Sequence, residues 1–207
     1  MIHQHPGGLT LTKRVVDYAA FLPGAKVVDV GCGTGITVEY LCTVCRLQAV
    51  GVDLAESRLE QGRVRMSGLP LIQASGESLP FDDASMDGVL AECSLSVMQD
   101  SDRVLQEIHR ILVGGGKLAI TDLYVRNTAA DCLAGTISCK ELRQRLEEIG
   151  FHITIWEDQS AYLREFVACF LMEYGSMDAL WQCTSQGKNT KQMGYFLLVA
   201  EKRQTKG

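Results

Sequence analysis

Val27-Val28-Asp29-Val30-Gly31-Cys32-Gly33-Thr34-Gly35-Ile36 decides how the rest of the 207-residue chain is read. A short β-branched run passes into three glycines in five positions and then into a segment with helical character (Thr34 to about Cys45). Glycines at such a turn let the backbone bend sharply and let a ligand approach with no Cβ in the way. In an open α/β sheet, the crevice at the carboxyl end of the first strand is where ligands bind. The spacing is G-x-G-x-G with Ile at position 36, so it misses the dinucleotide pattern G-x-G-x-x-G. No Lys-Ser/Thr pair follows the glycines, so it is not a phosphate loop either.

Working outward, strand-length apolar runs alternate with helical segments. Lys26 to Val30, Ala49 to Asp53, Leu71 to Ala74, Met86 to Glu92 and Lys117 to Leu123 read as buried strands. Ser101 to Leu112 keeps a helical apolar period, opened by Asp100, Ser101 and Asp102 and stopped by Gly114 to Gly116. Lys140 to Ile149 is a further helix, closed by Gly150. Phe151 to Trp156 alternates as an edge or near-edge strand, and Gly194 to Ala200 is the last strand. Ala161 to Met172 is an amphipathic helix whose stripe suits burial on the sheet, a cap over a pocket, or a dimer face. The alternation argues for an α/β fold, a parallel sheet covered on both faces.

Composition sets the outer bounds. The chain is 46% hydrophobic and 22% charged, ordinary for a globular domain, and no linker splits it. The net charge of −5 offers no general footprint for nucleic acid. The densest apolar run, Phe166 to Met172, is far short of the roughly 18 residues a spanning helix needs. Nothing at the N-terminus resembles a secretory signal, so the eight cysteines are expected to be reduced thiols in a cytoplasmic protein. Cys42-x-x-Cys45 lacks a second pair at a zinc spacing, and no metal site is expected.

The glycine loop has an acidic partner. Asp53 ends the second strand, where a carboxylate accepts hydrogen bonds from ribose hydroxyls; the plainer alternative is that it caps the next helix. With Asp29-Val30-Gly31-Cys32-Gly33-Thr34-Gly35 and Gly51-Val52-Asp53 go Ser75-Gly76-Glu77-Ser78-Leu79-Pro80-Phe81 and Arg110-Ile111-Leu112-Val113-Gly114-Gly115-Gly116. Together these resemble the successive motifs of class I S-adenosylmethionine-dependent methyltransferases. Their flavour is closest to the branch holding the ubiquinone/menaquinone-biosynthesis and arsenite methyltransferases. The resemblance runs from about Pro23 to Leu123.

It implies a Rossmann-like, doubly wound seven-stranded sheet, mostly parallel, with the last strand antiparallel beside the strand from Lys117. It implies one domain over 1–207: an N-terminal helix or lid (1–22), a cofactor-binding core (23–123), and a C-terminal part (124–207) helping to form the acceptor pocket. It also implies S-adenosyl-L-methionine as cofactor. Gly31, Cys32, Gly33, Thr34 and Gly35 would pass beneath its methionine and ribose. Asp29 would lie near the ammonium, and Asp53 would hold the ribose. Leu54, Ser75, Gly76 and Glu77 would surround the adenine, and Glu92 would close the site. Relatives often carry Asp where Ser75 stands and proline where Val113 stands.

Methyl transfer from a sulfonium is an in-line displacement that needs alignment and a dry pocket more than a catalytic triad. The residues expected to meet an acceptor are Glu92 and Cys93, within Glu92 to Ser96, and Tyr124 or Arg126 within Asp122 to Asn127. Cys93 also reads as a small core residue, and His3 and His5 as frayed terminal residues. Cys93, Cys132 and Cys139 together suggest a second possibility, thiolates binding a soft metalloid acceptor. The leading expectation is methyl transfer to a small molecule, by a monomer or homodimer, with nucleic acid and membrane as unlikely partners. The alternatives are metalloid methylation, a non-catalytic cofactor-binding protein, and a nicotinamide oxidoreductase, which Ile36 disfavours.

Overall fold

The computed structural model describes residues 5–126, 138–175 and 193–204. His3, Asn127, Cys132, Cys183 and the polar stretch 184–192 lie outside them. The elements are α1 (Gly8–Ala19), β1 (Lys26–Val30), α2 (Ile36–Thr43), β2 (Gln48–Asp53), α3 (Glu56–Arg65), β3 (Leu71–Gln73), β4 (Met86–Glu92), α4 (Ser101–Ile111), β5 (Leu112–Val125), α5 (Cys139–Ile149), β6 (Phe151–Asp158), α6 (Ser160–Tyr174) and β7 (Met193–Lys202). All seven strands form one sheet in the order β3-β2-β1-β4-β5-β7-β6. β3, β2, β1, β4 and β5 pair in parallel, and β7 inserts antiparallel between β5 and β6. The expected sheet, with its antiparallel last strand beside β5, is the one observed.

Strand periodicity sends alternate residues to opposite faces, and the core divides accordingly. Val27, Leu90 and Ala119 are buried with Leu11 and Val15 of α1, Val38 and Leu41 of α2 and Leu59 of α3. Val28, Val30, Val89 and Ile120 are buried with Val104, Leu105 and Ile108 of α4 and Leu142 and Leu146 of α5. Covering both faces is what permits near-continuous apolar strands such as β7, where eight consecutive residues are buried.

Local chemistry sets the helix ends. The Asp100 side chain accepts from Arg103 N at the start of α4, and Ser138 and Glu141 form a reciprocal capping box on α5. Gly150 ends α5 in the left-handed region. Two expectations are corrected here. Gly114 to Gly116 do not stop the helix from outside the sheet; α4 ends at Ile111 and the glycines lie within β5, where its register with β4 shifts. On α6 the stripe is half-buried at Leu163, Phe166, Val167 and Phe170, with Leu163 packed against the core, while Leu171 is exposed, so its burial on the sheet is partial. Among the described residues no helix is long and apolar enough to cross a membrane.

Helix α3 approaches the glycine loop closely at Gly62. A Cβ there would lie 2.4 Å from the Thr34 carbonyl oxygen, a backbone atom. Ala is normally favoured over Gly in a helix by about 1 kcal/mol. Here the clash outweighs that preference, since overpacking costs about 1–3 kcal/mol. Gly62→Ala is therefore expected to lower the thermal midpoint by a few degrees, at roughly 2–4 °C per kcal/mol for this size. An unchanged or raised midpoint would show that α3 can retreat without cost.

Candidate cofactor and acceptor site

The site begins with sheet register. On β1, Asp29 pairs with Gly51 of β2 and Leu90 of β4. Two residues further along those neighbours, on the same face, stand Asp53 and Glu92. The position that would continue β1 in that row is Gly31, which has no side chain. Three carboxylates from adjacent strands thus converge at the carboxyl ends of β2, β1 and β4, around a gap left by glycine. β1 and β4 are the neighbours at which strand order reverses, the usual crevice for ligands in such sheets.

Glycine is required in this loop. Gly31, Gly33 and Gly35 have φ of 78°, 57° and 73°, a region costly for side chains. A Cβ at Gly31 would also lie 2.4 Å from Ser94 Cβ. The loop is held by its acidic partner, since Asp53 Oδ2 accepts from Gly33 N at 2.8 Å while Oδ1 accepts from Ala55 N at 2.8 Å. Asp53 thus turns the chain toward α3 and braces the glycine turn.

Two connected lobes open along this row. One, of about 330 Å³, is lined by His5, Asp29, Cys32, Thr34, Thr37, Gln61 and Glu92. The other, of about 370 Å³, is lined by Asp53, Leu54, Ser75, Gly76, Glu77, Val97 and Met98. Gly31, Arg58 and Cys93 border both. Each lobe is within the size range of small-ligand pockets. Leu54 is 70% exposed at the second lobe, an apolar surface open for a flat ring. The loop bearing Glu77 is clamped from α4: Arg110 donates to Leu79 O and Phe81 O, and Glu107 accepts from Leu79 N. The Ser75 hydroxyl donates to the Glu77 carboxylate, which lowers that acid's pKa.

The carboxylates are not equivalent. Asp29 is 3% exposed and has no hydrogen-bond partner among the described residues. Burial first, then Glu92 and Asp53, push its pKa well up. Glu92, also buried, is satisfied: Thr12 donates to both its oxygens at 3.1 and 3.0 Å and Thr37 to Oε2 at 3.0 Å. Cys93 follows directly, in the left-handed region at φ 52°, its N–H bonded to Thr121 O at 2.6 Å. Such strain costs about 1–3 kcal/mol and collects at functional sites. Burial pushes the Cys93 and Cys32 thiols up, which keeps both neutral at pH 7.

Of the expected site residues, the structure brings Asp29, Gly31, Cys32, Gly33, Thr34, Asp53, Leu54, Ser75, Gly76, Glu77, Glu92 and Cys93 onto the two lobes. Gly35 lies behind, packed against Leu69 and Leu71. Tyr124 borders neither lobe. Its hydroxyl donates to Asp158 at 2.9 Å and its ring packs on Trp156 and Phe196, while Arg126 pairs with the same Asp158. Cys93 packs with the core on the α1–α3 side, whereas Cys139 opens α5 on the other face. Among the described residues no group of three His, Cys, Asp or Glu side chains is placed to hold a metal ion. His5 is the main surprise: at 9% exposure it is a lining residue, not a frayed one. Thr12, Thr37 and Arg58 were likewise not singled out from sequence; a fully buried threonine in an apolar helix face was the one available signal for Thr12.

Comparisons agree with this geometry. Residues 28–120 match the methyltransferase domain family. An O-methyltransferase of Pyrenophora dematioidea is 27% identical over 216 residues, covering 93% of this chain and 80% of that one. A crystal structure of the [4+2]-cyclase SpnF superposes with a TM-score of 0.76 at 25% identity, covering 94% and 80%. A Haemonchus contortus phosphoethanolamine N-methyltransferase, solved with S-adenosylhomocysteine, superposes with a TM-score of 0.78 at 18% identity, covering 97% and 54%. Residues 28–120 thus match a methyltransferase domain, and the chain as a whole shares the fold of these solved structures. S-adenosylmethionine is its cofactor, and the residues present fit it: the Asp29 carboxylate at the wall of the first lobe suits the ammonium, and a glycine cradle leaves room beside it.

The raised pKa of Asp29 has a testable sign. A carboxyl raised in the folded state costs stability as pH climbs through its unfolded value, near about 3.9, toward its folded one. Asp29→Asn is therefore expected to raise the thermal midpoint of the ligand-free protein at pH 7. The gain should vanish below about pH 4. The same change should weaken S-adenosylhomocysteine binding roughly 10- to 100-fold, from loss of a charged hydrogen bond of about 1.5–3 kcal/mol. Calorimetric titration and thermal melts check both; tighter binding would contradict the assignment.

Proposed function

We propose that this protein transfers the methyl group of S-adenosylmethionine to a small molecule, within a cytoplasmic setting consistent with the six free thiols of the described residues. The observation that carries this reading is the row Asp53–Gly31–Glu92 with Asp29 beneath it. It is an anionic, glycine-floored cleft suited to a cationic adenosyl compound. In the roles proposed, Asp29 meets the ammonium and Asp53 the ribose, while Leu54, Gly76 and Glu77 border the adenine. Glu92 and Cys93 stand where the methyl group would face an acceptor. When bound, the cofactor supplies an activated methyl group; the chain's share is to align it, exclude water and keep charge in place.

The first lobe, beside Glu92 and Cys93, holds Arg58 as the one arginine or lysine among its described lining residues, which supports a small acceptor over nucleic acid. The similarity to O-methyltransferases supports a hydroxyl-bearing compound. The test is turnover of S-adenosylmethionine with a panel of quinols, phenols, thiols and arsenite, reading S-adenosylhomocysteine release. Acceptor-dependent release is expected. Tight cofactor binding with no release from any member would favour a non-catalytic binding protein, and release with arsenite alone the metalloid reading.

A further inference from the structure

His5, just ahead of α1, is 80-odd residues from Glu92 in sequence but faces it in the first lobe, Nε2 to Oε2 at 3.7 Å. Its other ring nitrogen, Nδ1, lies 3.2 Å from Pro6 O. A carbonyl only accepts, so that contact places the proton on Nδ1 and leaves the Nε2 lone pair free. Among the described residues Nε2 lies 3.5 Å from Thr12 Oγ1, at the outer limit of a hydrogen bond. Thr12 lies nearer to Glu92 and directs its single hydroxyl proton there. The imidazole thus presents an uncommitted basic nitrogen to a cavity, beside a buried carboxylate that is itself occupied by two threonine hydroxyls.

We infer that His5 is the proton acceptor of the methyl-transfer site, with Glu92 as its charge partner, and that the acceptor served is an alcohol or phenol; this rests on the methyl-transfer reading above. An alcohol or phenol is a poor nucleophile until its proton leaves, whereas a thioether has none to lose. Glu92 is the poorer base because its lone pairs already hold Thr12 and Thr37. The step balances. The acceptor oxygen bonds to the methyl carbon, the carbon–sulfur bond breaks with its electron pair left on sulfur, and the hydroxyl proton moves to Nε2. The resulting imidazolium is neutralised by Glu92 and returns its proton to water on product release. The groups facing it are Glu92 from β4, Asp29 from β1, Arg58 from α3 and the neutral thiol of Cys93.

The experiment uses the whole chain with catechol and 1-octanol as hydroxyl probes and dimethyl sulfide as a proton-free acceptor. His5→Ala is expected to lower kcat on a hydroxyl probe by about 100-fold or more, the usual share of a general base. Its dissociation constant for S-adenosylhomocysteine and its thermal midpoint should stay near wild type. Added imidazole should restore turnover in the variant and do nothing for wild type. Glu92→Gln, which keeps a hydrogen-bonding side chain, should slow the hydroxyl reaction at saturating S-adenosylmethionine. The inference is overturned if His5→Ala keeps its hydroxyl turnover, if imidazole restores nothing, or if cofactor binds and neither hydroxyl probe is methylated. Failure of the wild type to bind S-adenosylhomocysteine overturns the methyl-transfer reading instead.

Discussion

The crowding of three carboxylates side by side, two of them buried and none paired with a lysine or arginine among the described residues, is the constraint on which the rest of this structure turns. Asp29, Asp53 and Glu92 come from adjacent parallel strands and share one face by register. Each alone is expensive to bury as a charge. Asp53 is relieved by two backbone N–H groups and Glu92 by two hydroxyls, but Asp29 is left to raise its pKa. The folded protein therefore holds a deficit of positive charge at one point, and a ligand carrying an ammonium and a sulfonium corrects it.

That constraint connects features that look separate. Gly31 keeps the row open; Gly33 lends its N–H to Asp53; Gly62 lets α3 close over the Thr34 carbonyl. Thr12 fixes α1 to the row through Glu92, which brings His5 to the cavity wall. The N-terminal helix is thus part of the site's chemistry as well as its cover. Arg110 performs the corresponding service on the other lobe, tying the loop of Glu77 to α4.

The sheet and the glycine cradle were legible because they depend on local signals. Val and Ile runs marked the strands, the glycines announced a left-handed turn, and Asp53 stood at the end of the next strand. Residues whose role depends on long-range register were not. His5 was read as frayed because nothing nearby in sequence shows that Glu92 lies opposite. Tyr124 was expected at the crevice, yet Asp158 and Trp156 hold it on the β5–β7–β6 surface. The stripe on α6 promised full burial, yet only its first turns reach the core beside β7, and Leu171 near its end is exposed.

The most direct test of the charge-deficit account is a proton count. S-adenosylhomocysteine binding would be measured calorimetrically in buffers of different ionisation heat, from about pH 4.5 to 7.5, the range opened by a raised carboxyl pKa. The account predicts net proton release on binding, as the ammonium of the ligand ionises Asp29. Binding with no proton release anywhere in that range, or with proton uptake, would contradict it.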